Sequence, residues 1–200
     1  MSFLPTTANE LAVRTVGVWY RYHPDDANRP RPKAVLPGAF NPLHKGHRQI
    51  AQLGAEILAV PVDFEISMTN VDKQPLDPDE VARRVEQFAV ADSVWITRAP
   101  TFLEKSRLFP NAFFLTGADT IVRIADARYY DGSEAARNEA IDEITKHDCR
   151  FLVFGRRVDG RFSSLSDLDL PSALTRLCTE VPEKRFRVDV SSTQLRTRQG

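Results

Sequence analysis

Gly38-Ala39-Phe40-Asn41-Pro42-Leu43-His44-Lys45-Gly46-His47 is the stretch on which the reading of this chain turns. It follows a short apolar run, Ala34-Val35-Leu36, and precedes residues 47–58, whose apolar spacing predicts a helix. A strand, a tight Gly/Pro turn and a pair of histidines entering a helix N-terminus together form a site for phosphate. The helix end presents backbone N–H groups and a partial positive charge. Gly38, without a Cβ, lets backbone come close to a ligand. Asn41-Pro42 sets a turn. His44 and His47 donate hydrogen bonds to phosphate oxygens and are able to carry charge. The bland alternative is a strand-turn-helix corner with two surface histidines; the context, strand before and helix after, favours the site.

Working outward, strand-like and helix-like segments alternate from Lys33 onward. Strands are predicted at 34–36, 62–68, 93–97, 112–116, 151–154 and 186–188, and helices near 47–58, 78–91, 101–108, 120–125, 134–146 and 171–178. Apolar runs bounded by turn residues and separated by helices predict an α/β fold, a Rossmann-like open parallel sheet with helices on both faces. Ligands in such sheets bind at the carboxyl ends of strands, beside the point where strand order reverses. The decisive stretch sits at the end of the first of these strands. Residues 1–32 read as an N-terminal extension and linker, in which Leu11, Val13, Val16, Val18, Trp19 and Tyr20 form either a helix or an added strand. Residues 33–200 read as the domain proper.

The bulk composition narrows the function classes. The chain has 200 residues, with Lys+Arg 27 against Asp+Glu 27, so its formal charge is zero and nothing suggests a general affinity for nucleic acid or an anionic membrane. No apolar run is long enough to span a bilayer and no secretory signal is evident, so a cytoplasmic location is expected. Cys149 and Cys178 are too few and too far apart for a metal knuckle and read as reduced thiols.

Further candidates lie along the chain. In Val190-Ser191-Ser192-Thr193-Gln194-Leu195-Arg196, the residues Ser191, Ser192 and Thr193 can cap a helix with hydroxyls and N–H groups facing an anion, and the Arg196 guanidinium lies one turn further in. In Leu115-Thr116-Gly117-Ala118-Asp119, Gly117 permits a close approach, and Asp119 accepts hydroxyl hydrogen bonds or caps the next helix. Gly155-Arg156-Arg157 follows a predicted strand. Lys73 lies on a loop ahead of Arg83 and Arg84. Tyr129 and Tyr130 either stack on a base or are packed.

The pattern G-x-F-[DN]-P-x-H-x-G-H at 38–47, with S-S-T-x-x-R at 191–196, resembles the nucleotidylyltransferase superfamily. Within it the chain is similar to the nicotinamide and nicotinate mononucleotide adenylyltransferases and to a cytidylyltransferase-like group. The resemblance implies an enzyme that transfers a nucleotidyl group from a nucleoside triphosphate, ATP ahead of CTP, to a small phosphorylated acceptor such as nicotinamide or nicotinate mononucleotide and releases pyrophosphate. It implies catalytic roles for His44, His47 and Arg196. It implies nucleotide contacts at Gly38, Ala39, Phe40, Gly117, Asp119, Arg156, Ser191, Ser192 and Thr193, and acceptor contacts at Lys73, Tyr129 and Tyr130. Mg²⁺ would be bound through the triphosphate. Alternatives are a cytidylyltransferase acting on a phosphorylated alcohol, or a protein that binds or slowly hydrolyses ATP without transferring it. Where the adenylyltransferases carry a Trp soon after the G-x-D, this chain has the two tyrosines.

Overall fold

The computed structural model describes residues 4–7, 10–15, 17–22, 31–71, 74–158 and 161–186. Six strands form a parallel sheet: β3 (Ala34–Pro37), β4 (Asp63–Ser67), β5 (Val94–Thr97), β6 (Phe113–Gly117), β7 (Arg150–Phe154) and β10 (Cys178–Val181). Their spatial order is β10-β7-β6-β3-β4-β5. The chain therefore steps from β3 to β4 and β5 on one side, then crosses back to lay β6 on the other side of β3. Strand order reverses between β3 and β6, and a ligand crevice is expected outside their carboxyl ends. The decisive stretch begins at that place. The fold is the expected Rossmann-like α/β architecture.

Alternate residues of each buried strand serve opposite faces. Val35, Phe114, Phe151 and Val153 pack with Leu108 and Phe109 at the end of α3 (Phe102–Leu108), Ile121 of α4 (Ala118–Ala125), Ile141 of α5 (Glu134–Lys146) and Leu174 of α6 (Ser172–Leu177). Ala34, Leu36, Phe64, Ile66, Leu115 and Leu152 pack on the other face, against α1 (Lys45–Leu58) and against Val81 and Val85 of α2 (Pro78–Val85). Among the described residues no helix is long and apolar enough to cross a membrane.

The extension takes the second of its two expected forms. β1 (Leu11–Thr15) and β2 (Val18–Tyr22) make a hairpin, closed at Gly17 with φ +78, that joins the sheet antiparallel through β1 against β5. One expected boundary is corrected. Helix α2 ends at Val85, not near residue 91, because the chain then turns and the Asp92 carboxylate accepts from the Ala89 N–H at 2.7 Å. Cys178–Val181 is a parallel strand that the sequence did not announce, since α6 runs directly into β10 with no Gly or Pro to mark the change; the strand expected at 186–188 reaches into residues outside the described ones. Phe186 is buried all the same, its ring 4.9 Å from that of Phe154; residues 187–200 lie outside the described residues. A second small hairpin, β8 (Arg156–Val158) with β9 (Arg161–Ser163), follows β7.

Candidate active site

The loop leaving β3 is tied to its neighbour at once: the Gly38 N–H donates to the Glu65 carbonyl at 2.9 Å. Phe40 then adopts φ +45, an unfavourable conformation for a residue with a side chain. Its ring is buried and meets Phe64, Phe88 and His47 edge-on at 5.7, 5.1 and 4.9 Å. That ring fills the space over Gly38, where a Cβ would stand 2.7 Å from Phe40 Cζ. Gly38 thus makes room for the loop's own aromatic ring. Three backbone groups of the loop bind α2 and the turn after it. Arg84 donates to the Ala39 carbonyl (2.9 Å), and Gln87 donates to the Phe40 carbonyl (3.0 Å) and accepts from the Leu43 N–H (2.8 Å).

His44 is the N-cap of α1 and His47 stands in its first turn. The imidazoles stack with centroids 3.7 Å apart and planes at 20°. The His44 N–H donates to His47 Nδ1 at 3.3 Å, which assigns the proton of a neutral His47 to Nε2. Burial chiefly, and the neighbouring His44 secondarily, pull the His47 imidazole from 6.5 down to about 3. At neutral pH it is an uncharged ring with one fixed donor. The folded value lies below the unfolded one, so between them the unfolded chain holds a proton that the folded chain lacks. Stability contributed by this group is complete above pH 6.5 and falls as the pH drops toward 3. The expected slope is at most about 1.4 kcal/mol per pH unit. Urea midpoints at pH 7 and pH 5 should show the wild-type protein losing more stability than His47→Asn; equal losses would remove the assigned protonation state.

Beside the loop opens a cleft of about 460 Å³ at the carboxyl ends of the strands. Gly38, Ala39 and Asn41 form one wall and Ser67, Thr69 and Asn70 another. At its lining stands a charge pair that the sequence reading missed. Glu65, 1 % exposed, accepts from Lys105 Nζ through both carboxylate oxygens at 2.9 Å and from the Thr97 hydroxyl. Lys105 also donates to the Ala99 carbonyl at 2.6 Å. The signal was present: Glu65 interrupts the apolar run Phe64-Glu65-Ile66, and a charge at a buried strand position requires a partner.

The other predicted residues distribute unevenly. Gly117 is the N-cap of α4, and a Cβ there would stand 2.5 Å from Asp119 Oδ1, so the exposed Asp119 carboxylate leans over a glycine. Its neighbour Thr120 lines the cleft. Tyr129 and Tyr130 end a 3-10 turn, Ala127–Tyr130, and neither lines the cleft. Tyr130 donates to the Ile124 carbonyl at 3.2 Å, and the Arg128 guanidinium lies 4.9 Å over the Tyr129 ring. Arg156 begins β8, with its side chain outside the described residues. Lys73, Ser191, Ser192, Thr193 and Arg196 also lie outside them. Among the described residues no group of three or more His, Cys, Asp or Glu side chains could hold a metal ion.

A family model described as cytidylyltransferase-like matches residues 35–198, from the first parallel strand to beyond the Ser-Ser-Thr segment. The chain belongs to the cytidylyltransferase-like family. The matched region begins on β3, beside the switch point of the sheet. The chain is also 29% identical over 147 residues to a Schizosaccharomyces pombe protein named "Putative nicotinamide mononucleotide adenylyltransferase". The match covers 65% of this chain and 55% of that protein, so the chain spans about half the length of the relative.

Proposed function

We propose that this member of the family transfers a nucleotidyl group, with ATP as the donor, to nicotinamide or nicotinate mononucleotide and releases pyrophosphate. The supporting observation is the junction of two features at one switch point. A backbone loop ending in a neutral, Nε2-protonated His47 at a helix N-terminus suits a triphosphate. The cleft sharing that loop, about 460 Å³, lies in the size range of small-molecule sites. The acceptor phosphate attacks the α-phosphorus in line and pyrophosphate leaves, with no covalent enzyme intermediate. The work of the protein is to position the reactants and to stabilise charge building on the phosphates. His44 and His47 donate to those oxygens; Arg196 and the Ser191–Thr193 segment take the β and γ groups. Asp119 accepts from a ribose hydroxyl and Arg156 approaches the nucleotide. Lys73 balances the acceptor phosphate, and Tyr129 or Tyr130 offers a ring face. The residues described offer no carboxylate cluster, which fits Mg²⁺ arriving with the triphosphate and held by its oxygens and water.

The family's description favours CTP as a second donor reading. Pyrophosphate release measured with ATP or CTP against a panel of phosphorylated acceptors separates the readings. Acceptor-dependent release with ATP and a pyridine mononucleotide supports the proposal. Release with CTP and a phosphorylated alcohol replaces it, and nucleotide binding or hydrolysis without acceptor dependence ends it. Arg196→Ala should weaken ATP binding about tenfold or more, as expected for a lost charge-assisted contact; unchanged affinity by calorimetry would remove the role given to that guanidinium.

A further inference from the structure

Gln87 is an exposed side chain just beyond α2, yet both ends of its amide are engaged by the loop. Its Nε2 donates to the Phe40 carbonyl at 3.0 Å, and its Oε1 accepts from the Leu43 N–H at 2.8 Å. One turn earlier Arg84 donates to the Ala39 carbonyl at 2.9 Å. Arg84 is itself held by Glu80, whose carboxylate accepts from Arg84 Nε at 2.7 Å and pairs with its second terminal nitrogen at 2.7 Å. The α2 segment thus grips consecutive carbonyls of the loop and the N–H two residues before the α1 N-terminus.

Two physical consequences follow. In a trans peptide the carbonyl and the next N–H point in opposite directions. Drawing the Ala39 carbonyl onto α2 therefore turns the Phe40 N–H away from it. Second, Phe40 at φ +45 stays there only if its surroundings over-determine it, since such backbone is strained for a residue with a side chain. The buried ring fixes one end of that residue and Gln87 fixes its carbonyl.

We propose that Gln87, supported by Arg84, is a positioning residue for nucleotidyl transfer: it sets the shape of the 38–44 loop and, through Leu43, the placement of His44 and His47. The proposal rests on reading that loop as the phosphate cradle. Gln87 touches no substrate in it and acts through the backbone alone.

The test uses the full chain. Gln87→Leu keeps an aliphatic stem and removes both bonds; Gln87→Glu keeps an acceptor for the Leu43 N–H and loses the donor to Phe40. Gln87→Leu should lower kcat about tenfold, the effect of one to two ordinary hydrogen bonds, with acceptor KM unchanged. Gln87→Glu should fall between it and the wild type. The deciding readout is a double-mutant cycle: in a His47→Ala background, Gln87→Leu should cost less than about twofold, because the donor it positions is gone. A side chain that only stabilises the fold would cost the same in both backgrounds. Binding of inorganic pyrophosphate by calorimetry should weaken in Gln87→Leu while the thermal midpoint holds. Wild-type kcat and pyrophosphate affinity in Gln87→Leu, or equal losses in both backgrounds, would overturn the proposal. If the wild-type protein neither binds pyrophosphate nor transfers, the cradle reading itself has failed and the proposal falls with it.

Discussion

His47→Ala is expected to lower nucleotidyl transfer by about 10²-fold or more, equivalent to about 2.7 kcal/mol of lost transition-state stabilisation. The size follows from preorganisation. Phe40 holds the ring edge-on and His44 stacks against it, while a backbone N–H occupies Nδ1. The proton is then committed to Nε2 before any substrate arrives, so little reorganisation is needed as charge develops on a phosphate. A half-buried neutral donor is suited to this task, because its hydrogen bond strengthens as the acceptor oxygen becomes more negative. Bound polyanion should also raise the imidazole value from about 3, so the acid limb of the binding profile should differ from that of the empty protein. His47→Asn, with a shorter donor, should lie between alanine and wild type. Steady-state kinetics at saturating donor decide the matter; full turnover in His47→Ala would refute the assigned role.

Lys105→Met should destabilise the fold by about 3–5 kcal/mol, the usual cost of leaving a buried charge without its partner. Glu65 is 1 % exposed and receives charge-assisted bonds from Lys105 at both oxygens, leaving the Thr97 hydroxyl as its side-chain partner among the described residues when the ammonium is removed. The paired change Glu65→Met with Lys105→Met should recover most of that loss, since apolar groups of similar volume can replace a buried ion pair. Urea unfolding of the single and double variants reads this directly; a single variant within about 1 kcal/mol of wild type would show that water reaches the carboxylate. The pair also bears on the site. The Glu65 backbone carbonyl anchors the Gly38 N–H at 2.9 Å, so a shift of this strand position moves the root of the 38–44 loop.

The sequence made some of this legible and concealed the rest for physical reasons. The buried parallel strands show themselves because runs such as Ala34-Val35-Leu36 and Phe151-Leu152-Val153-Phe154 are apolar on both faces and bounded by turn residues. The site's position follows from one of them ending in Gly38. Strand β10 escaped because Cys178-Thr179-Glu180-Val181 has mixed polarity and no punctuation before it. The Glu65–Lys105 and Gln87–loop contacts join residues about 40 positions apart, so periodicity within a window does not reveal them. Tyr129 and Tyr130 show what residue type alone leaves open. As aromatic residues after a Gly-x-Asp they invite a ligand, yet Tyr130 also donates to the Ile124 carbonyl and Tyr129 also carries the Arg128 guanidinium over its ring, so residue type alone does not separate stacking on a base from packing.

The hairpin on β5 has a practical corollary. Its first strand contributes Leu11 and Val13 to the same apolar layer as Trp95, and pairs Val13 with Trp95 across the ladder. Shortening the protein to begin at residue 33 would therefore strip a wall from the hydrophobic interior and bare the β5 backbone to strand exchange with neighbouring molecules. A truncated form that precipitates would be reporting that loss, and would say nothing about catalysis.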